Sequence, residues 1–454
     1  MNARFKLASS AALLLGVTLL MSYAFANRNH SDDSISSSTI ASVNEKIMLE
    51  KEHHDSARLS AELNNIIKKL DLRVSDYPQD YESSLIKVLL FIKAGHTERA
   101  MQALDELISV APDFHLAHLV KGDLFSMRVR SVSGIGKSPV LSKFAANKSE
   151  ELTNLQHEAL ARIKSFIEQV ESEKIPRQLL GLSLNTTQAI LVDKSRHRLY
   201  VYERKSDALP PVLIHDFYVS TGKVKGNKFV RGDLRTPEGV YFVTSWLPDS
   251  KLPDKYGIGA FPVDYPNALD NKLGKTGYGI WLHGTDRDNY SRPPLDSEGC
   301  VVLPNIDLDK IKKYIKPGET PIIIANEIDW LDYADWTNER NSVLVALEAW
   351  RKDWESLNVD KYLSHYAEDF WSGAYNLRSW QQRKRAVARS KTYQNVKLTD
   401  VSLFAYPYKY NKKDNIYVVR FRQHYKSNNY KGDIYKRIYL VKRSETLKIL
   451  YEGS

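Results

Sequence analysis

The spacing of apolar residues changes near residue 188, and this change limits the chain to folds that join a helical part to a strand-rich part. Before it, the apolar residues between Ala61 and Leu70 recur at helical spacing. After it, Ala189–Asp193 and Arg198–Tyr202 are β-rich runs separated by a polar turn, the pattern of a hairpin. We therefore expect no strand before about residue 185.

A chain of 454 residues is too long for one ordinary core, so we expect a multidomain protein. A helical region covers residues 27–180, and a mainly β domain covers residues 185–326. An α+β domain covers residues 335–454, where Asn341–Asn358 has the pattern of an amphipathic helix and long alternating strands follow.

The first 26 residues have the pattern of an export signal. Arg4 and Lys6 precede the apolar run Leu7–Met21, and Ala24-Phe25-Ala26 resembles a cleavage site. The pattern places the protein in the periplasm or cell envelope. Two outcomes stay open: cleavage of the signal, or its retention as an inner-membrane anchor.

Within the helical region, Pro78 and Pro112 lie 34 residues apart, the period of a tetratricopeptide helix pair. Gly95 and Ala100 stand where such a pair has its turn and its small packing residue. The segment resembles one tetratricopeptide repeat. Either it binds a protein partner or it serves only as a helical packing unit, because such repeats need stacked neighbours to bury a core.

The chain contains a single cysteine, Cys300, so an exported form has no internal disulfide. The thiol is then a buried bystander, an intermolecular partner or a working nucleophile. A nucleophilic thiol needs a base, and His283 at the end of an apolar strand can be that base. Gly299 permits a close backbone approach, and the amides of Gly299 and Cys300 can stabilise an oxyanion.

The stretch from residue 281 to 308 resembles the signature of the L,D-transpeptidase (YkuD) family. In that signature a strand-borne His-Gly precedes a variable loop, Ser/Thr-His-Gly-Cys and then Asn. His283 and Gly284 match the first part, and the second part is matched by Ser297, Gly299, Cys300, Asn305 and Asp307. Residues 218–243 and 190–203 resemble the strands that precede this signature in the family.

The resemblance implies a cysteine enzyme that acts on peptidoglycan stem peptides without a cofactor. It implies that His283 deprotonates Cys300 while the Gly284 carbonyl holds the imidazole, with Gly299, Ser297 and Asn305 on the substrate and oxyanion side. The thiolate would attack the diaminopimelate carbonyl of a tetrapeptide stem and release D-Ala. Water would then give an L,D-carboxypeptidase, and an amine an L,D-transpeptidase.

Two residues depart from the family pattern. Glu298 stands where the signature has His, and Val302 stands where Arg is frequent. These departures leave open how the substrate carboxylate and the acceptor are recognised. Glu298 is an orienting group, a repeller of an acidic acceptor or a neutral loop residue.

The C-terminal region resembles the nuclear-transport-factor-2-like fold, a sheet curled around a cone-shaped pocket. Cell-shape-determining L,D-carboxypeptidases of the catalytic family carry such a domain. The Glu298 variant of the signature is similar to that branch and to the YafK branch of the family. Together the two resemblances favour hydrolysis. From Asp335 onward, 23 Lys and Arg oppose 13 Asp and Glu, which accounts for the whole net charge of +10. The excess indicates either a site for an anionic envelope polymer or solvated strand faces.

Other classes of function are less compatible with the sequence. No zinc-finger, basic-zipper or RNA-binding signature is present, and an exported chain does not meet nucleic acid. The acidic residues near His283 are too irregularly spaced for a dedicated metal site, so we expect no metal. The contrasting hypothesis is a catalytically silent cell-wall scaffold that keeps the fold and only binds stems.

Overall fold

The computed structural model describes residues 54–127, 134–137, 149–167, 174–207 and 209–453. The predicted export signal at residues 1–26 and the segment that follows it lie outside the described residues. Within the described ranges no helix is both long and apolar enough to cross a membrane.

Amphipathic helices build the N-terminal part of the described chain. Their apolar faces form one core, in which Leu85, Leu104 and Val120 are almost completely buried. Gly95 turns the chain between the two helices of the tetratricopeptide-like pair with a φ of 75°, and Ala100 is fully buried. The helices are α1 (His54–Asp76), α2 (Tyr81–Lys93), α3 (Thr97–Val110), α4 (His115–Met127) and α5 (Ser149–Ile167).

Two short strands lie inside the range predicted to be helical, so the expectation of no strand before residue 185 is wrong. They are β1 (Ile175–Pro176) and β2 (Leu179–Gly181). Leu179 pairs with Phe404, more than 200 positions along the chain. A strand of three residues is too short to show alternation, and its partner lies far outside any local sequence window.

Two sheets share one core in the strand-rich domain. The first has the order β5-β4-β3-β13-β7, with β3 (Gln188–Asp193), β4 (Arg198–Glu203), β5 (Val212–Tyr218), β7 (Gly239–Phe242) and β13 (Pro321–Ala325). The second has the order β12-β10-β9-β8, with β8 (Leu247–Pro248), β9 (Gly259–Pro262), β10 (Trp281–Gly284) and β12 (Val301–Leu303). Ile190 and Ile322 from the first sheet meet Leu282 and Val301 from the second in this core.

Shorter elements connect these sheets. They are β6 (Thr221–Gly222), which pairs with β11 (Leu295–Ser297), and the helices α6 (Ala268–Lys272) and α7 (Asn305–Lys312). At the junction with the C-terminal domain, β1 pairs antiparallel with β14 (Trp330–Leu331).

A long helix and a curved sheet form the C-terminal domain. Trp336 and Trp350 on the helix are buried against Val419 and Phe421 of the sheet, which explains the apolar face predicted there. The helices are α8 (Tyr333–Glu355), α9 (Val359–Leu363) and α10 (Leu377–Ala388). The strands are β15 (Tyr366–Ser372), β16 (Tyr375–Asn376), β17 (Gln394–Ala405), β18 (Asn415–Ser427), β19 (Lys431–Arg443) and β20 (Thr446–Gly453), in the order β16-β15-β20-β19-β18-β17-β2.

The strand-rich and C-terminal domains share a continuous interface. The Phe242 ring meets the Phe404 ring edge-on at 6.1 Å, and Asn267 donates to the Tyr406 hydroxyl at 3.0 Å. The predicted fold class, a helical region followed by a mainly β domain and an α+β domain, is confirmed.

A buried network of ion pairs joins the helical region to the strand-rich domain. Arg162 on α5 donates to Glu158 at 2.8 Å and to Glu82 on α2 at 3.0 Å. Glu82 also accepts from Arg198 on β4 at 2.7 Å, and Arg198 pairs with Asp216 on β5. Arg162 and Glu158 side chains are only 1% and 2% exposed, so each depends on its partner to offset the loss of water.

We expect Arg162→Ala to lower the free energy of unfolding by about 3–5 kcal/mol, because it leaves Glu158 without its buried cation and removes one of the two arginines that bind Glu82. Denaturant unfolding followed by circular dichroism measures the change. The matched control is Lys87→Ala, which removes a pair with Asp71 whose carboxylate side chain is 52% exposed; it is expected to cost at most about 1 kcal/mol. Equal losses in the two variants would contradict this assignment.

Candidate active site

His283 is placed by strand β10 in the interior of the strand-rich domain. Its neighbour Leu282 faces the core, so the alternation of a strand turns His283 to the opposite face. The Nδ1–H donates to the carbonyl of Gly284 at 2.7 Å. This bond fixes the tautomer in which Nε2 carries the lone pair and can accept a proton.

Cys300 lies immediately before strand β12, which runs parallel to β10. The register pairs Leu282 with Val301 and His283 with Val302. Cys300 and Val302 are two positions apart and therefore lie on the same face as His283. The register therefore makes Cys300 a diagonal neighbour of His283 on that face. The half-buried thiol also contacts the Gly279 carbonyl at 3.5 Å.

A tight turn from Ser297 to Cys300 presents the thiol. The Ser297 hydroxyl donates to the Cys300 carbonyl at 2.6 Å and accepts from the Gly299 N–H at 3.1 Å. Gly299 has a φ of 125°, and a Cβ there would lie 2.8 Å from the Arg235 carbonyl oxygen. Only glycine fits this position without displacing the backbone.

The turn already engages Gly299 and Ser297, two residues that were expected on the substrate and oxyanion side. The Gly299 N–H is bound to Ser297, so in this conformation it is not directed at a substrate oxyanion, and the Ser297 hydroxyl is engaged within the turn. The Cys300 N–H, the other amide considered, stays a predicted oxyanion donor. Hydrogen bonding within a turn is decided by backbone angles that the sequence motif does not reveal.

Asn305 at the start of α7 supports the histidine strand rather than facing the thiol. Its side-chain amide donates to the Thr285 carbonyl at 2.8 Å and accepts from the Ile258 N–H at 3.1 Å. The side-chain oxygen approaches Gly284 so closely that a Cβ there would lie 2.0 Å away. The close approach explains the glycine that follows His283.

Burial sets the protonation of His283 and Cys300. It lowers the pKa of His283 to about 4, and the hydrogen bond to Gly284 offsets part of this effect. Burial also raises the pKa of the Cys300 thiol to about 11. Near neutral pH the pair is therefore a neutral thiol beside a neutral imidazole. An imidazole in this state can accept a proton, as a general base does.

Two side chains near the pair were not identified from the sequence. The Tyr256 ring lies 4.9 Å from the His283 ring and packs edge-on against it. Arg292 donates to the carbonyl of Lys255, the neighbour of Tyr256, at 2.8 Å and pairs with Asp286. Arg292 comes from a loop and Tyr256 from the short 3-10 helix Asp254–Tyr256, and no sequence signal separates them from ordinary surface residues.

The departures from the signature occupy different environments. Glu298 is exposed beside the thiol turn, whereas Val302 is buried and its backbone pairs with Ser220 at 2.9 Å. Asp307 is buried and faces the helical region. Burial, together with the nearby Asp80 and Glu82, raises its pKa to about 8.

No three His, Cys, Asp or Glu side chains in the described parts of the chain come close enough to hold a metal ion.

Comparisons with known proteins identify the strand-rich and C-terminal domains. Residues 187–324 match the model of the L,D-transpeptidase catalytic domain, and residues 342–453 match the Cds6 C-terminal NTF2-like domain. Bd1075 of Bdellovibrio bacteriovorus is similar in structure with a TM-score of 0.54 and 32% identity, covering 62% of this chain and 97% of that chain. The helical cell shape determining protein Pgp2 from Campylobacter jejuni is similar with a TM-score of 0.52 and 25% identity, covering 61% of this chain and 95% of that chain. No curated protein matches the chain.

We expect Gly284→Ala to lower the free energy of unfolding by about 1–3 kcal/mol, because the new methyl group overlaps the Asn305 side chain. Gly122→Ala is the matched control: Gly122 lies within α4 with no atom within 4 Å of an added Cβ. That substitution is expected to stabilise the protein by about 0.4–1 kcal/mol. Thermal unfolding of both variants measures the difference, and a Gly284→Ala protein as stable as the wild type would contradict the close contact.

Proposed function

The chain belongs to the L,D-transpeptidase family whose members carry a C-terminal NTF2-like domain, and we propose that it cleaves the L,D bond of peptidoglycan stems. In this proposal the bond joins diaminopimelate to D-Ala in a tetrapeptide stem, and Cys300 is the nucleophile. The observation that carries the proposal is the parallel pairing of β10 with β12, which puts His283 and Cys300 on one face.

The first half of the reaction forms a thioester. The His283 Nε2 takes the thiol proton as the sulfur attacks the diaminopimelate carbonyl, and a carbon–sulfur bond forms. The Cys300 N–H stabilises the oxyanion, a contribution of about 3–4 kcal/mol for one donor in comparable sites. The carbon–nitrogen bond then breaks, and the imidazolium returns its proton to the nitrogen of the departing D-Ala.

The second half depends on the acceptor. Water, deprotonated by His283, attacks the thioester, and the thiolate leaves and recovers its proton, which completes hydrolysis. An amine would instead give a cross-link or an exchanged terminal residue. We favour water because exposed Glu298 stands beside the thiol and repels an acceptor stem that carries carboxylates.

The cellular role follows from the same proposal. Pgp2 is a helical cell shape determining protein, and we extend this role to the present chain through trimming of stems in the cell envelope. The export signal predicted at residues 1–26 would deliver the enzyme there. The helical region would recruit a protein partner, and the basic C-terminal domain an anionic envelope polymer.

Purified protein incubated with tetrapeptide muropeptides is expected to yield tripeptide products and free D-Ala, identified by mass spectrometry. A Cys300→Ala variant should yield neither, because the nucleophile is absent. A parallel reaction with an added D-amino acid distinguishes the acceptors: exchanged tetrapeptides would indicate transfer. Unchanged stems with the wild type would contradict the proposal and favour the silent scaffold.

The pH dependence of kcat/KM provides a second test. Because burial lowers the pKa of His283 to about 4, the base stays neutral and active through mildly acidic solutions. We expect activity to persist below pH of about 6 and to fall only toward pH of about 4, whereas an unperturbed histidine would lose half its activity near pH of about 6.5. Circular dichroism at each pH controls for unfolding. A midpoint at or above the unperturbed value would contradict a buried neutral base.

A further inference from the structure

The loop between β10 and β11 is anchored in the helical region. Tyr290 in this loop is only 6% exposed and belongs to the helical core, not to the core of its own domain. Its ring lies 4.3 Å from the Phe114 ring and 5.6 Å from the Tyr81 ring, measured between centroids. Its N–H donates to the Asp113 carbonyl at 3.2 Å. An aromatic side chain from the catalytic domain thus completes a neighbouring core.

The next two loop residues, Ser291 and Arg292, are held by side chains of the same interface with the helical region. The Ser291 hydroxyl donates to Glu158 at 2.5 Å, and Glu158 is itself held by Arg162. The Arg162 guanidinium stacks on the Tyr218 ring at 3.9 Å, and the Tyr218 hydroxyl donates to the Arg292 carbonyl at 2.8 Å. Three consecutive loop residues are therefore fixed by the helical region or by a side chain that it contacts.

The other end of this connection reaches the reacting pair. The Arg292 side chain donates to the Lys255 carbonyl at 2.8 Å, and the adjacent Tyr256 ring packs against His283. The Arg292 guanidinium donates to the Lys255 carbonyl and to Asp286 through the same nitrogen, Nη2. A guanidinium carries donors on two further nitrogens and matches the planar geometry of a carboxylate.

We propose that the helical region is the positioning element of the active-site loop, and that it anchors Tyr290 so that Arg292 binds the terminal carboxylate of the stem. The carboxylate clause rests on the proposed function. The D-Ala that would leave carries a carboxylate one carbon from the scissile nitrogen. At the position where the family signature frequently has Arg, this chain has the buried Val302. In the proposal, Arg292 from the loop between β10 and β11 supplies the cation for the stem carboxylate instead.

A double-mutant cycle tests the coupling in the full-length chain. Tyr290→Ala and Arg292→Ala are each expected to lower kcat/KM on tetrapeptide muropeptides by about ten- to a hundredfold, because displacement of a positioning group by an ångström costs this much. If Tyr290 acts through Arg292, the double variant is no worse than Arg292→Ala alone. Tyr290→Phe keeps the ring and is expected to restore most of the activity. Multiplying effects in the double variant would overturn the proposal.

The matched control removes another ring from the same core. Phe91 is 5% exposed and lies ten residues along α2 from Tyr81, about 15 Å away. Phe91→Ala is expected to weaken the helical core yet leave kcat/KM within about twofold of the wild type. The effects of substitutions this far apart, without shared partners, are usually independent. A loss equal to that of Tyr290→Ala would show that general destabilisation, not loop position, is responsible, and would overturn the proposal.

Hydrogen exchange separates this proposal from the proposed function. In Tyr290→Ala, amide exchange in residues 285–294 is expected to rise at least about tenfold, while exchange in β12 stays unchanged. This readout does not need turnover, so a wild type without activity would count against the proposed reaction and not against the anchor. Unchanged loop exchange in Tyr290→Ala would refute the anchor even in an active enzyme.

Discussion

The parallel pairing of β10 with β12 is the constraint on which the site depends. Because the register sets His283 opposite Val302, Cys300 lies two positions away on the same face, so the pairing of two strands places the proposed base and nucleophile on one side of the sheet. A shift of one residue would turn the thiol into the core occupied by Val301. The glycines next to His283 and Cys300 make this packing possible. Gly284 leaves room for the Asn305 side chain, and Gly299 leaves room for the Arg235 carbonyl.

Burial gives the pair its chemical character. Raising the pKa of the thiol while lowering that of the imidazole keeps both groups neutral, so the site carries no thiolate that oxidants or stray electrophiles would attack. In the proposed reaction, proton transfer then accompanies attack on a bound substrate. Such a mechanism depends on accurate placement more than on thiolate concentration, which is consistent with a loop braced by a second domain.

Much of this arrangement could be predicted from the sequence, because local patterns carry it. The hairpin at Ala189–Tyr202 and the helix with the buried Trp350 follow from periodicity, and the lone cysteine after Gly299 limited the candidates for a nucleophile. Long-range pairing could not be predicted: β2 joins a sheet built mostly by residues after 365. Hydrogen-bond partners within a turn could not be predicted either: the Gly299 N–H, expected on the oxyanion side, donates to the Ser297 hydroxyl. The sequence around Tyr290 gives no sign that its side chain belongs to the core of the helical region.

The central claim is that Cys300 attacks the stem with His283 as its base. Intact-protein mass spectrometry on rapidly acid-quenched mixtures with a tetrapeptide muropeptide tests it most directly. The account predicts an adduct with the mass of the muropeptide less D-Ala, located on the peptide that contains Cys300, and a much smaller adduct in His283→Gln. A stem-derived adduct on any other residue, or cleavage of stems that persists in Cys300→Ala, would contradict the claim.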